Sequence, residues 1–198
     1  MKTRLKLSIA MLPFFLYGCG TMNSAMVDEK TNKQMYHIFQ VDTEKGISPL
    51  SDTISEGIQR NVNDITTKSP IPPRKTPEEP GRFKVEDPIG DTKFGALAKS
   101  HGAVMPKTVK CDGAVWTASA KRDTSAALTQ VNACLWKYKG GYHLDMFMSV
   151  QEKDQSLLQS ALSGAVGAAL GNPEEWANRI AIETMEHVHS ELPETKIS

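Results

Sequence analysis

The sequence predicts an α+β domain: a mainly antiparallel sheet, made of a three-stranded meander plus an N-terminal strand, with helices packed on one face. Three observations carry that expectation. Between Ala114 and Val150 apolar and polar residues alternate in three runs, broken by turn-forming residues at 121–125 and 140–141; period two is the mark of strands with one buried face. Leu50, Ile54, Ile58, Val62 and Ile65 recur at three- and four-residue spacing, which lines up one side of a helix. Asn172-Pro173-Glu174-Glu175 supplies an N-cap, a first-turn proline and acids at the positive end of a helix dipole. Placing helices on one face of such a sheet buries the apolar side of both.

In chain order, Met35 to Val41 is rich in aromatic and β-branched residues and reads as a strand. Ser48-Pro49 offers the cap and first turn of the helix that runs on through Ile65. From 66 to 80, five prolines stand among charged residues. Proline has no amide donor and fixes its own φ, so this stretch predicts an extended surface loop with polyproline II character. It reads as a spacer or wrapping loop in preference to a ligand for a proline-recognising domain. Arg82 to Val85 is expected to be an edge strand ended by Asp87-Pro88, and Phe94 to Ala98 a helical turn.

The meander follows. Ala114, Trp116, Ala118 and Ala120 share one face of its first strand, and Leu128 to Tyr138 is its second. Gly140-Gly141 predicts a primed hairpin turn, since both positions tolerate positive φ. In the third strand Tyr142, Leu144, Met146, Met148 and Val150 face inward, while His143, Asp145 and Ser149 face outward with Phe147 among them. Leu157 to Ala169 forms a small-residue helix too short and too interrupted to span a membrane, and Gly164 and Gly167 would let another element approach closely. Trp176, Ile180, Thr184, Met185, Val188 and Leu192 give the last helix its buried side, and Pro193 stops it. In element order this layout resembles small α+β folds of the PsbP/Mog1 type.

The N-terminus carries an address. Lys2, Arg4 and Lys6 precede an apolar run from Leu7 to Leu16, about half the roughly twenty residues a membrane span needs. It closes on Leu16-Tyr17-Gly18-Cys19. This segment resembles the lipobox of bacterial lipoproteins, with Tyr17 where a smaller residue is usual. The resemblance implies that residues 1–18 are a signal peptide and that Cys19 is lipidated; Thr21 to Lys33 is polar and without periodicity, so 19–34 is expected to be a lipidated tether. It implies attachment to the membrane through the anchor. Gly20, where inner-membrane retention signals place Asp, favours the outer membrane facing the periplasm. A single acyl chain holds a protein only reversibly, at about 0.8 kcal/mol per buried methylene; the two or three chains of a lipoprotein hold it permanently.

With Cys19 used by lipid, Cys111 and Cys134 remain. An even pair in an exported protein predicts a disulfide. The mature length suits one domain at 35–198, with the proline-rich loop of 66–80 on its surface. Basic and acidic residues number 23 each, so no basic surplus points to nucleic acid, and no nucleic-acid partner is expected.

Catalytic signals are sparse. The sequence has no GxSxG elbow and no phosphate-binding glycine loop. His143 and Asp145, two apart on a strand, share a face, as a metal pair or a base with its orienter would. Two ligands do not make a zinc site, and an ordinary polar outer face accounts for them as well. Glu183 and His187, four apart on the last helix, suit a solvated ion pair near its C-terminus better than a metal site. Trp116, Trp136 and Trp176 fall at core positions. No catalytic residue, metal or cofactor is therefore expected. The expectation is a non-catalytic structural or accessory envelope protein with a protein partner. The alternatives are a small-ligand binder with its pocket between the meander and the C-terminal helices, and an enzyme using His143 and Asp145.

Overall fold

The computed structural model describes residues 23–29, 32–87, 92–100, 107–124, 127–152 and 173–198. The expected signal peptide of 1–18, Cys19 and the expected small-residue helix of 157–169 lie outside them. The elements run β1 (Asn23–Glu29), β2 (Asn32–Asp42), α1 (Ile47–Gln59), β3 (Asp64–Lys68), β4 (Lys84–Glu86), α2 (Lys93–Ser100) and β5 (Thr108–Lys110). Then come β6 (Trp116–Asp123), β7 (Ala127–Tyr138), β8 (Gly141–Glu152), α3 (Pro173–Glu191) and β9 (Lys196–Ile197). The fold is α+β. Seven strands form one antiparallel sheet in the order β1-β2-β8-β7-β6-β3, with β9 added to β2, and β4 and β5 pair as a separate ribbon.

The meander β6-β7-β8 forms as its alternation predicts, and β2 pairs along the free edge of β8. β9 pairs with Val41 and Asp42, past the point where β1 ends. Gln40 and Ser198 exchange two backbone hydrogen bonds of 2.9 and 3.1 Å, which fastens the C-terminus to the sheet.

One face of the sheet is the main core. Phe39, Val41, Val131, Leu135, Leu144, Met146 and Met148 project from it, and Leu50, Ile54 and Ile58 of α1 pack with Ile180, Ala181 and Val188 of α3. The two helices touch each other where Gly57 lies against the backbone of Thr184. Beyond the end of α1, the Asn61 side-chain amide donates to Glu183 of α3 at 2.9 Å.

Several expectations are corrected. Residues 23–29 and 32–34 are not a free tether: β1 pairs with β2 from Asn23↔Ile38 to Glu29↔Asn32. A polar segment without alternation can still be an edge strand, because the ladder needs only backbone donors and acceptors. α1 starts at Ile47 behind Gly46 rather than at a Ser48 cap, and it ends at Gln59. Ile65 reaches the same core from β3, so the helical spacing ran through a helix end and into a strand. β3 also takes 66–68 from the proline-rich stretch, which is otherwise exposed up to Glu79. The strand near Arg82 belongs to the ribbon, not to the edge of the main sheet.

β6 continues through Asp123, where a turn was expected. At the β7-β8 hairpin the two loop residues are Lys139 and Gly140, closed by the Tyr138↔Gly141 pair. Of the two glycines only Gly141 has positive φ, at 122°. A Cβ there would also stand 2.8 Å from the Val41 carbonyl oxygen. No described helix is long and apolar enough to cross a membrane.

Candidate functional site

Strand alternation sends His143, Asp145 and Phe147 of β8 to the face opposite the helices. The ladder sets Trp136 of β7 opposite His143, Cys134 opposite Asp145, and Asn132 opposite Phe147. On the other side Ile38 and Tyr36 of β2 stand opposite Asp145 and Phe147. Asp145 thus sits with apolar neighbours in both adjoining strands, where a carboxylate needs a dedicated partner.

The segment after the proline-rich stretch supplies it. Lys139 N–H donates to the Pro77 carbonyl at 2.9 Å, and the Lys139 ammonium pairs with Glu78, which sets the segment on the β7-β8 hairpin. Gly81 then passes directly over the Trp136 indole; a Cβ there would lie 2.3 Å from the ring nitrogen. Only glycine allows that approach. Next, Arg82 Nε donates to Asp145 Oδ2 at 2.8 Å and Phe83 N–H donates to the same oxygen at 3.3 Å. The Phe83 ring meets Phe147 at 5.6 Å and the edge of Tyr36 at 5.8 Å. Residues 77–83 are therefore a strap across this face, held by a buried carboxylate and seated on aromatic rings.

Behind the strap lies a second small core of Ala114, Cys134 and Trp136, joined by Phe83, Val109 and Cys111. The Cys111–Cys134 disulfide ties the residue after β5 to the middle of β7. Trp136 Nε1–H donates to the Asp112 carbonyl at 2.9 Å, so the turn carrying Cys111 is fixed twice. Trp116 and Trp176 belong to the main core instead, and the Arg122 guanidinium lies 4.4 Å over the Trp176 ring. All three tryptophans are packed.

His143 and Asp145 do share a face, but they are buried rather than solvated. Asp145 Oδ2 has two donors, and His143 Nε2 stands 3.0 Å from Oδ1 without the alignment of a hydrogen bond. Chemically Oδ2 is occupied as an acceptor for the strap, while Oδ1 faces His143. The Glu183–His187 pair is not formed. Glu183 accepts from Asn61, while His187 is buried and faces Glu56 at 3.4 Å and Glu191 at 3.9 Å. Among the described residues no three His, Cys, Asp or Glu side chains converge as metal ligands. Between the meander and α3, Leu144, Met146, Ile180 and Ala181 pack together in the core; the other C-terminal helix expected to border a pocket, 157–169, lies outside the described residues.

A groove lies on the opposite face. It has a volume of about 720 Å³ and runs over the outer side of β3, β6 and β7, with 107–111 as its wall. Thr66, Ser119 and Asn132 form one row across its floor, because the ladder sets each opposite the next. Reading the sequence did not identify this groove or Arg82. A buried Asp145 flanked by apolar strands, with Gly-Arg-Phe following the prolines, was the signal available for the strap.

His37 projects from β2 toward the helices and stacks with Phe39 at 6.1 Å. Burial pushes its imidazole below the usual 6.5, and a side-chain hydrogen bond with Asn178 offsets this in part. A lowered folded-state value means that the unfolded chain binds the proton more readily. Stability is then full above about pH 6.5 and falls as pH drops toward the folded-state value. The His37→Leu variant should show a flatter dependence of melting temperature on pH over that range than the parent chain. Identical slopes would remove His37 from the acid response.

Comparison with known protein families, curated proteins and solved structures finds no match for this chain.

Proposed function

We propose that this protein is a membrane-anchored, periplasm-facing lipoprotein that acts as a non-catalytic structural or accessory protein of the cell envelope. The observation that carries this reading is Leu16-Tyr17-Gly18-Cys19 at the end of a basic-then-apolar segment. The anchor places the α+β domain at a membrane surface, and the domain acts there through its contacts with an envelope protein.

Crosslinking in intact cells, followed by recovery of the full chain, tests this. The parent protein should capture the same envelope protein repeatedly. The Cys19→Ser variant should lose fatty-acid labelling, persist as a precursor and lose that partner. A Cys19→Ser chain that still incorporates fatty acid at mature size contradicts the anchor. A parent chain that captures no specific partner contradicts the accessory role.

A further inference from the structure

The outer groove has the chemistry of a binding site. Among the described residues the side chains of Thr66, Thr117, Ser119, Gln130 and Asn132 project into it and make no hydrogen bond to another side chain or to backbone. Strand geometry sets them about 4.8 Å apart across the ladder and nearly 7 Å apart along it. Hydroxyl and amide groups both donate and accept, so this floor can match a ligand that does the same at regular intervals.

The charge is one-sided. Among the described residues four lysines line the groove against a single carboxylate, Asp64. Lys110 is paired with Asp112 at 3.6 Å and Glu86 at 4.0 Å, and Lys107 is also engaged. Lys68 and Lys121 have no carboxylate within ion-pair distance among the described residues. They stand at opposite ends of the floor, because the register sets Lys68 opposite Thr117 and Lys121 opposite Asp64. A ligand that meets both must carry negative charge at separated points.

Among the described residues no aromatic side chain lines the groove. Single-stranded nucleic acid is held largely by stacking of its bases on such rings, so this floor does not suit it. Hydroxyls at regular spacing with separated negative charges describe an acidic sugar chain. We propose that the groove binds an anionic oligosaccharide, with Lys68 and Lys121 meeting its charges and Ser119 and Asn132 its hydroxyls. The Cys111–Cys134 disulfide, which joins wall to floor, holds the groove at its working width. The site belongs to the folded domain, so it is independent of whether Cys19 carries lipid.

Calorimetric titration of the full chain in detergent with an oligogalacturonate tests the proposal. Inorganic polyphosphate, a neutral malto-oligosaccharide and single-stranded DNA are the comparison ligands. The oligogalacturonate should bind and the neutral sugar should not. Lys68→Gln with Lys121→Gln should weaken binding about tenfold, and Ser119→Ala with Asn132→Ala should weaken the oligogalacturonate but not polyphosphate. Lys68, Ser119 and Lys121 are exposed and Asn132 is half-buried without a side-chain hydrogen bond, so melting temperatures should stay near the parent value and loss of fold does not explain a loss of binding. The proposal is overturned if the oligogalacturonate fails to bind, if the lysine variant binds it as the parent does, if Ser119→Ala with Asn132→Ala has no effect, or if polyphosphate or DNA binds more tightly.

Discussion

Arg82→Ala should lower the unfolding free energy by about 3 kcal/mol, the low end of what removing one partner of a buried ion pair costs. The Asp145 side chain is 0% exposed and would be left without its cation, whereas Arg82 is 49% exposed. The low end applies because Phe83 N–H still donates to the same oxygen. The asymmetry makes the prediction sharp. Asp145→Asn leaves Arg82 able to reach water and removes a charge that is costly to bury, so it should cost less, about 1.5 kcal/mol for a hydrogen bond to a charged group. Urea unfolding of both variants measures the difference. If Asp145→Asn proves the costlier change, the carboxylate does not depend on Arg82 in the way the structure implies.

Replacing both Cys111 and Cys134 with alanine should cost about 3 kcal/mol. Their sequence separation is 23, and closing a loop of that size removes roughly that much unfolded-state entropy at room temperature. Thermal melts of the parent chain with and without reductant should reproduce the loss seen in the variant. A variant as stable as the oxidised parent would mean the bridge constrains nothing that matters to unfolding. Cys134 stands opposite Asp145 across the β7-β8 ladder. Combining the cysteine changes with Arg82→Ala should therefore cost less than the two losses added together, because neighbouring sites share the contacts they lose.

What could be read in the sequence follows from which interactions are local. The alternation from Trp116 to Val150 comes from one buried sheet face, and it located three strands and their inward residues. Asn172-Pro173 and Pro193 marked the limits of α3 for the same reason, since caps and proline act within a turn or two. Cysteine parity pointed to the bridge. The misreadings were of a different kind. β1 is set by pairing with β2, which leaves no apolar pattern in its own residues. Ile65 keeps helical spacing with Ile58 although it sits on a strand, because both elements face one core.

The outer face was the least legible. Asp145 looks like any polar residue of a solvated strand face until Arg82, 63 positions earlier, is brought onto it. The groove depends on β3 pairing with β6 and on 107–111 standing over the floor, which are long-range placements. The type of each residue was plain in the sequence. Their convergence was set by topology.

The measurement that bears most directly on the proposed function is the intact mass and N-terminal residue of the protein extracted from its own membranes. The account predicts a chain that begins at Cys19 and carries the added mass of its acyl chains. A chain that keeps residues 1–18, or one that begins at an unmodified Cys19, would contradict it.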